Sequence, residues 1–259
     1  MAKRLRRRSL TAAAMVTGVT MMWCAAPAAA FTGGYEPQTA VQAPWYVSVH
    51  GKPTKGASWS CSGVLTTATT VATAAHCLTG GGEGVGSGTV FTVYRGTVGT
   101  TPSQAATKPT IISPSTESDL GRLFLPKGFD NATAATSERS PIKTKVTGKS
   151  GYLYGTGLTP SGPATSINRL PVTTAELKTP VRAKIAANHT TPPQHACPGD
   201  SGGPLMIWRD KTGGGRELVL AGLIITGAGT CPLQPTGTTT VVAWTAKFND
   251  LFVAATPQS

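Results

Sequence analysis

Short runs of Val, Ile, Thr and Tyr, each closed by a cluster of Gly, Pro, Ser or Thr, recur along most of the chain. They include "WYVSVHG" (45–51), "GTVFTVYRG" (88–96), "TIISP" (110–114), "GYLYG" (151–155), "LVLAGLIITG" (218–227) and "TTTVVAWT" (238–245). No sustained apolar pattern at i, i+3 and i+4 interrupts them, and turn signals separate them regularly, so the chain reads as all-β, a sandwich or barrel. The exception is "TAKFNDLFVAA" (245–255), where Phe248, Leu251 and Phe252 share one face of an amphipathic helix. A polar stretch, "KGFDNATAATSERSPIKT" (127–144), divides the chain into halves and reads as a linker. The glycine-rich "TGGGEGVGSG" (79–88) reads as a flexible loop; its glycines do not follow a buried strand and open a helix, so it is no phosphate cradle.

The first thirty residues depart from this pattern. "MAKRLRRR" is basic without an acid, "LTAAAMVTGVTMMW" (10–23) is mildly apolar, and "AAPAAA" (25–30) supplies small residues before a cut. That is the layout of a secretory signal peptide, and the apolar run falls short of the roughly twenty residues a membrane span needs. Arg7 and Arg8 leave the export route open between the general and the twin-arginine pathways. A cut after Ala30 makes Phe31 the new N-terminus of a secreted, extracellular chain of 229 residues. The five basic residues leave with the signal, which lowers the net charge from +12 to +7. No dense Lys/Arg cluster remains, so nucleic acid is not an expected partner, and nothing else is apolar enough for a membrane anchor.

Cys24 leaves too. The four remaining cysteines, Cys61, Cys77, Cys197 and Cys231, allow three pairings in an oxidising compartment. Cys61 is well placed to pair with Cys77; closing that loop is worth about 3 kcal/mol in the chain-entropy account and would fix the neighbouring His76.

Three segments carry chemistry. A serine hydroxyl is a poor nucleophile unless a base, a group orienting that base, and oxyanion donors surround it. In "GDSGGPL" (199–205), small residues on both sides of Ser201 permit a tight turn, and the backbone N–H groups of Gly199 and Ser201 can aim at one point. In "VATAAHC" (71–77), small β-favouring residues run into His76. In "SDLGRLFL" (118–125), Asp119 opens an apolar segment, as suits a partly buried carboxylate, whereas Asp130, Asp210 and Asp250 lie in polar surroundings. His50 and His189 have no companions at metal-ligand spacing and no HExxH motif occurs, so neither metal nor other cofactor is expected. "NAT" (131–133) and "NHT" (188–190) match the N-glycosylation pattern, which matters only in a eukaryotic secretory route.

"VATAAHC", "SDLGRLFL" and "CPGDSGGPL" in that order, with "FTGGYEPQTAVQAPWYVSV" (31–49) as a mature start, resemble the secreted, bacterial-type members of the chymotrypsin-like (trypsin-fold) serine peptidase family. The resemblance spans nearly all of 31–259. It implies two antiparallel six-stranded β-barrels, about 31–140 and about 141–259, with the active site between them and a C-terminal helix. It further implies His76 as general base, Asp119 as its orienting carboxylate, Ser201 as nucleophile, and Gly199 and Ser201 as oxyanion-hole donors. The implied disulfides are Cys61–Cys77 and Cys197–Cys231, the latter across the specificity pocket. Asp200 would pair with the α-amine of Phe31, so that signal removal itself activates the enzyme. The implied partners of this peptidase, expected as a monomer, are polypeptide substrates and protein protease inhibitors.

Two residues depart from the family's trypsins. His195 stands where they carry the aspartate that selects Lys or Arg, and an imidazole cannot supply that buried negative charge. Three readings remain open: an apolar or aromatic pocket with His195 as a hydrogen-bonding floor, an acidic preference if His195 is charged, or a His195 that points away. Pro198 at the pocket rim removes a backbone donor, and Gly227 in "ITGAGTC" (225–231) is the expected residue on the opposite wall. The rival readings are a catalytically silent binding or effector protein on the same fold, and a polyanion-binding or adhesion-like domain resting only on charge and surface threonines.

Overall fold

Tyr46 to Val49 are buried on both faces of one strand, a central position that only a chain folded over both sides of a sheet can offer. The computed structural model describes residue 31 and residues 36–79, 88–100, 102–113, 119–137, 148–159, 162–177, 182–187, 196–227 and 239–243. In chain order the strands begin with β1 (Glu36–Gln38), β2 (Tyr46–Lys52), β3 (Trp59–Leu65) and β4 (Thr70–Ala74). One helical turn, α1 (His76–Thr79), precedes β5 (Val90–Tyr94), β6 (Ser103–Ala105), β7 (Thr107–Ser113) and β8 (Leu120–Phe124). The second half holds β9 (Ser150–Gly155), β10 (Leu158–Thr159), β11 (Gly162–Pro163), β12 (Ile167–Leu177), β13 (Arg182–Ala187), β14 (Pro204–Asp210), β15 (Arg216–Gly227) and β16 (Thr239–Ala243).

Every pairing between these strands is antiparallel. The first-half sheet has the order β6-β5-β2-β3-β4-β8-β7 and keeps two free ends among the described residues. The second-half sheet has the order β1-β12-β13-β16-β15-β14-β9, and β9 pairs back onto β12. The described residues are therefore mostly β-strand, with one seven-stranded antiparallel sheet per half and a separate two-stranded one, β10 with β11, in the second. For each of the larger sheets the sequence reading expected six strands. The extra strand of the second sheet is β1, which comes from the start of the chain and lies on the edge of β12.

Pro171 explains why β12 is not legible as a strand. On one side it lies opposite Tyr152 of β9. On the other, the first residue of β1, Glu36, lies opposite Arg169 and the last of β13, Ala187, opposite Val172, so the proline falls in the gap between two neighbours and needs no N–H there.

The two halves share one continuous apolar core, from Val47, Val64 and Leu123 to Leu153, Leu223 and Val241. Trp45 meets Tyr154 edge to face, with ring centroids 4.6 Å apart. The described part of the expected linker, residues 127–137, is bonded to both halves. Ala135 donates to Leu65 O at 2.8 Å, Leu220 donates to Thr136 O at 2.7 Å, and Ser137 bridges Leu220. The expected signal segment, residues 80–87 of the glycine-rich stretch and the expected C-terminal helix lie outside the described residues. Among those described, no helix is long and apolar enough to cross a membrane.

Candidate active site

Three elements converge where the halves meet: the end of β4 with α1, the start of β8, and the turn before β14. His76 opens α1, directly after the buried strand Thr70–Ala74 has carried the chain out of the core. Asp119 lies just ahead of β8, whose Leu120 pairs with Ala74. The pairing of β4 with β8 thus brings together two residues 43 positions apart in the chain.

Asp119 engages that turn at three points. Its Oδ2 lies 2.7 Å from His76 Nδ1, its Oδ1 accepts the backbone N–H of His76 at 3.0 Å, and its carbonyl accepts Ala75 N–H at 2.9 Å. A carboxylate accepts only, so Nδ1 carries a proton toward Oδ2. The Asp119 side chain is only 17% exposed, so this contact is largely sheltered from solvent. Its backbone φ of +28° lies at the edge of the left-handed region, which aspartate tolerates better than most residues. His76 Nε2 has no hydrogen-bond partner among the described residues, and neither has Ser201 Oγ.

The turn at Ser201 is built from its own sequence. Asp200 N–H donates to Cys197 O at 2.9 Å, closing a four-residue turn with Pro198 and Gly199 at its centre. Gly199 has φ +98°, and proline cannot take a positive φ, so this is a type II turn with each residue where the turn type demands it. Pro198, a departure when set against trypsins, presets the geometry of the loop that carries Gly199.

Ser201 and Gly202 sit between the two sheets, bonded to β3 of the first half and β15 of the second. Ser62 N–H of β3 donates to Ser201 O at 2.8 Å, and Gly202 N–H donates to Ile224 O at 2.6 Å. Gly202 has φ +81°, and a Cβ there would overlap Ser62 O and Thr73 Oγ1. Only glycine admits this approach of the turn to β3 and β4. Cys77 Sγ comes within 3.6 Å of Ser201 O; it belongs to a disulfide and has no proton, so this is a packing contact.

Cys61 and Cys77 form the expected disulfide, with Cα atoms 6.1 Å apart, tying β3 to the residue after His76. Cys61, His76 and Cys77 place ligand-type atoms within 4.8 Å of one another, but both sulfurs are spent in the disulfide, and it is the thiolate that binds metal. Cys197 is disulfide-bonded as well. Cys231, its expected partner, and His195 lie outside the described residues, so the three readings of the specificity pocket stay open. Gly227 ends β15, opposite Thr239.

Asp200 is wholly buried, and its two carboxylate oxygens accept Gly157 N–H and Cys197 N–H, each at 2.8 Å. Burial pushes its pKa well above the usual carboxylate range, against the opposing pull of those two donors. No cation pairs with it among the described residues. Phe31 is also buried, at 1% exposure, within the common core.

One set of groups was not found from the sequence. Ser62 Oγ donates to Gly199 O at 2.9 Å and lies 2.6 Å from the phenol of Tyr46. The available signal was the period of β2, which puts Tyr46 and Ser48 on one face and so directs two hydroxyls inward.

Two antiparallel sheets, an Asp–His pair and a docked GDSGG turn describe a chymotrypsin-like serine peptidase domain. The Trypsin family model matches residues 31–250, and the chain belongs to that family. No curated protein matches the chain.

Proposed function

We propose that the protein is a secreted serine endopeptidase in which Ser201 attacks the scissile carbonyl. The observation that carries this reading is the two-point hold of Asp119 on His76 beside the docked Ser201 turn. With Nδ1 protonated toward Asp119, His76 Nε2 is left as the acceptor for the hydroxyl proton of Ser201. The Oγ–C bond forms as that proton moves to Nε2, and the carbonyl oxygen becomes an oxyanion received by the N–H groups of Gly199 and Ser201. The imidazolium returns the proton to the leaving amine as the C–N bond breaks. Water, deprotonated by the same nitrogen, then releases the acyl group and restores Ser201.

Asp200 belongs to the same reading as the partner of a new α-amine on Phe31. The family match begins at residue 31, where the small-residue cleavage pattern ends, and among the described residues no cation pairs with the buried carboxyl. Specificity for Lys or Arg is not expected, because His195 supplies no negative charge. The two barrels, the pairing of Cys197 with Cys231, and polypeptides and protein inhibitors as partners complete the proposal.

The test is reaction of the secreted protein with a serine-directed fluorophosphonate, together with cleavage profiling on a peptide library. Labelling and hydrolysis, both abolished by Ser201→Ala, are expected. A folded wild type that neither labels nor hydrolyses would be a silent member of the fold. A strong preference for Arg or Lys would overturn the reading of His195.

A further inference from the structure

Ser62 holds the Ser201 turn at two points. Its backbone N–H donates to Ser201 O at 2.8 Å, and its hydroxyl donates to Gly199 O at 2.9 Å. The peptide between Gly199 and Asp200 is thereby fixed at both ends, its carbonyl by Ser62 and its N–H by Cys197 O. That peptide adjoins the one carrying the Gly199 N–H, and the type II form of the turn decides which way this N–H points.

The protons of the surrounding hydroxyls can be assigned by counting. Ser62 spends its single proton on a carbonyl, so it can only accept from Tyr46, whose phenol oxygen lies 2.6 Å away. The phenol proton has Thr156 Oγ1, at 3.0 Å, as a second acceptor within reach. Thr156 lies 3.2 Å from Ser48 Oγ, and Ser48 in turn donates to Gly96 O. Tyr46 and Ser48 belong to β2, Ser62 to β3, and Thr156 follows β9, so the chain of hydroxyls joins the two halves beneath the turn. Tyr46, Ser48 and Ser62 are fully buried, and burial raises the phenol pKa, so Tyr46 keeps its proton and remains a donor at any working pH. A polar chain in such surroundings is stiff when every member is satisfied and costly when one is removed.

We propose that Tyr46 and Ser62 are positioning residues of the peptidase reaction: the phenol orients the Ser62 hydroxyl, and Ser62 holds the Gly199 carbonyl so that the N–H groups of Gly199 and Ser201 face the oxyanion. Neither side chain touches substrate. The inference rests on the proposed serine-peptidase activity, and the experiment separates the two.

The chain beginning at Phe31 is prepared as wild type, Tyr46→Phe, Ser62→Ala and the double variant. Active sites are counted by exhaustive fluorophosphonate labelling, and kcat and KM on a fluorogenic peptide are expressed per labelled site. Ser62→Ala should lower kcat about tenfold, less than the loss of an oxyanion donor itself, with KM within about twofold. Tyr46→Phe, which keeps the ring, should lower kcat about threefold, and the double variant should match Ser62→Ala because the phenol acts through Ser62. A purely structural role would lower the melting temperature and the number of labelled sites while leaving kcat per site unchanged; that result overturns the inference and leaves the peptidase reading intact. Multiplying losses in the double variant overturn the relay as well. Should Ser62→Ala fail to fold, an unchanged kcat per site in Tyr46→Phe decides against the inference alone. A folded wild type without labelling or hydrolysis removes the peptidase reading and the inference together.

Discussion

Asp119 grips His76 through both carboxylate oxygens, Oδ1 on the backbone N–H at 3.0 Å and Oδ2 at the ring Nδ1 at 2.7 Å. Asp119→Asn keeps the shape and removes this chemistry. An amide that still accepts the backbone N–H through Oδ1 must present its NH2 to Nδ1, which places the ring proton on Nε2 and leaves that nitrogen unable to accept from Ser201. kcat should fall by about 10⁴ with a near-native melting temperature, the size expected for a reversed tautomer in such a triad. Peptide hydrolysis and thermal unfolding, measured on the same preparation, check both halves.

Gly202 is required for space and for backbone conformation, and a second glycine separates the two costs. At Gly202 (φ +81°) an added Cβ overlaps Ser62 O and Thr73 Oγ1, whereas at Gly213 (φ +97°) nothing lies within 4 Å. Gly213→Ala should cost about 1–2 kcal/mol, the penalty of a left-handed residue with a Cβ. Gly202→Ala should cost roughly 3 kcal/mol or more, because the collision with β3 and β4 adds to that penalty, and it should abolish hydrolysis by displacing Ser201. Denaturant unfolding of the two variants gives the difference directly.

These positions show what could be read from the sequence and what could not. The Asp–His contact and the Ser201 turn were legible because their chemistry is written in contiguous residues: "VATAAHC", "SDLGRLFL" and "CPGDSGG" each carry the residue and the small neighbours its geometry needs. Strands in which apolar and β-branched residues recur locally, such as Tyr46–Lys52 and Arg216–Gly227, were legible for the same reason. β12 was hidden by Pro171, whose missing donor is harmless only because β1 and β13 leave a gap beside it. The Tyr46–Ser62–Gly199 chain was hidden more deeply. The period of β2 turns the Tyr46 hydroxyl inward but does not name its partner Ser62, 16 positions on, and the Ser62–Gly199 bond, across 137 positions, exists only after both halves have folded.

The Cys61–Cys77 bridge closes a separation of 16 residues and holds the residue after His76 against β3. Replacing both cysteines by serine should lower stability by about 3 kcal/mol in the chain-entropy account. Activity per labelled site should fall as well, because the turn bearing His76 loses its tie to the strand whose Ser62 receives the Ser201 turn. A variant that loses stability but keeps wild-type kcat per site would show that the pairing of β4 with β8 positions His76 on its own. Melting curves and labelled-site kinetics distinguish the cases.

Asp200 sets the expected pH dependence. Its folded-state pKa is raised by burial, so at pH values above the ordinary carboxylate range the folded chain holds a proton that the unfolded chain has already released. The unfolded state is then favoured by rising pH, and stability contributed by the protonated carboxyl is lost from the unfolded value near 4 up to the raised folded value. The chain that retains residues 1–30 should therefore lose melting temperature as pH climbs through that window. The chain beginning at Phe31 should lose less, because a free amine brought to the carboxylate favours its charged form and pulls the pKa back down. Thermal unfolding of both forms across pH 4–8, each carrying Ser201→Ala to prevent self-digestion, measures the two slopes. Parallel slopes would mean that the Phe31 amine does not reach Asp200, and that signal removal activates nothing.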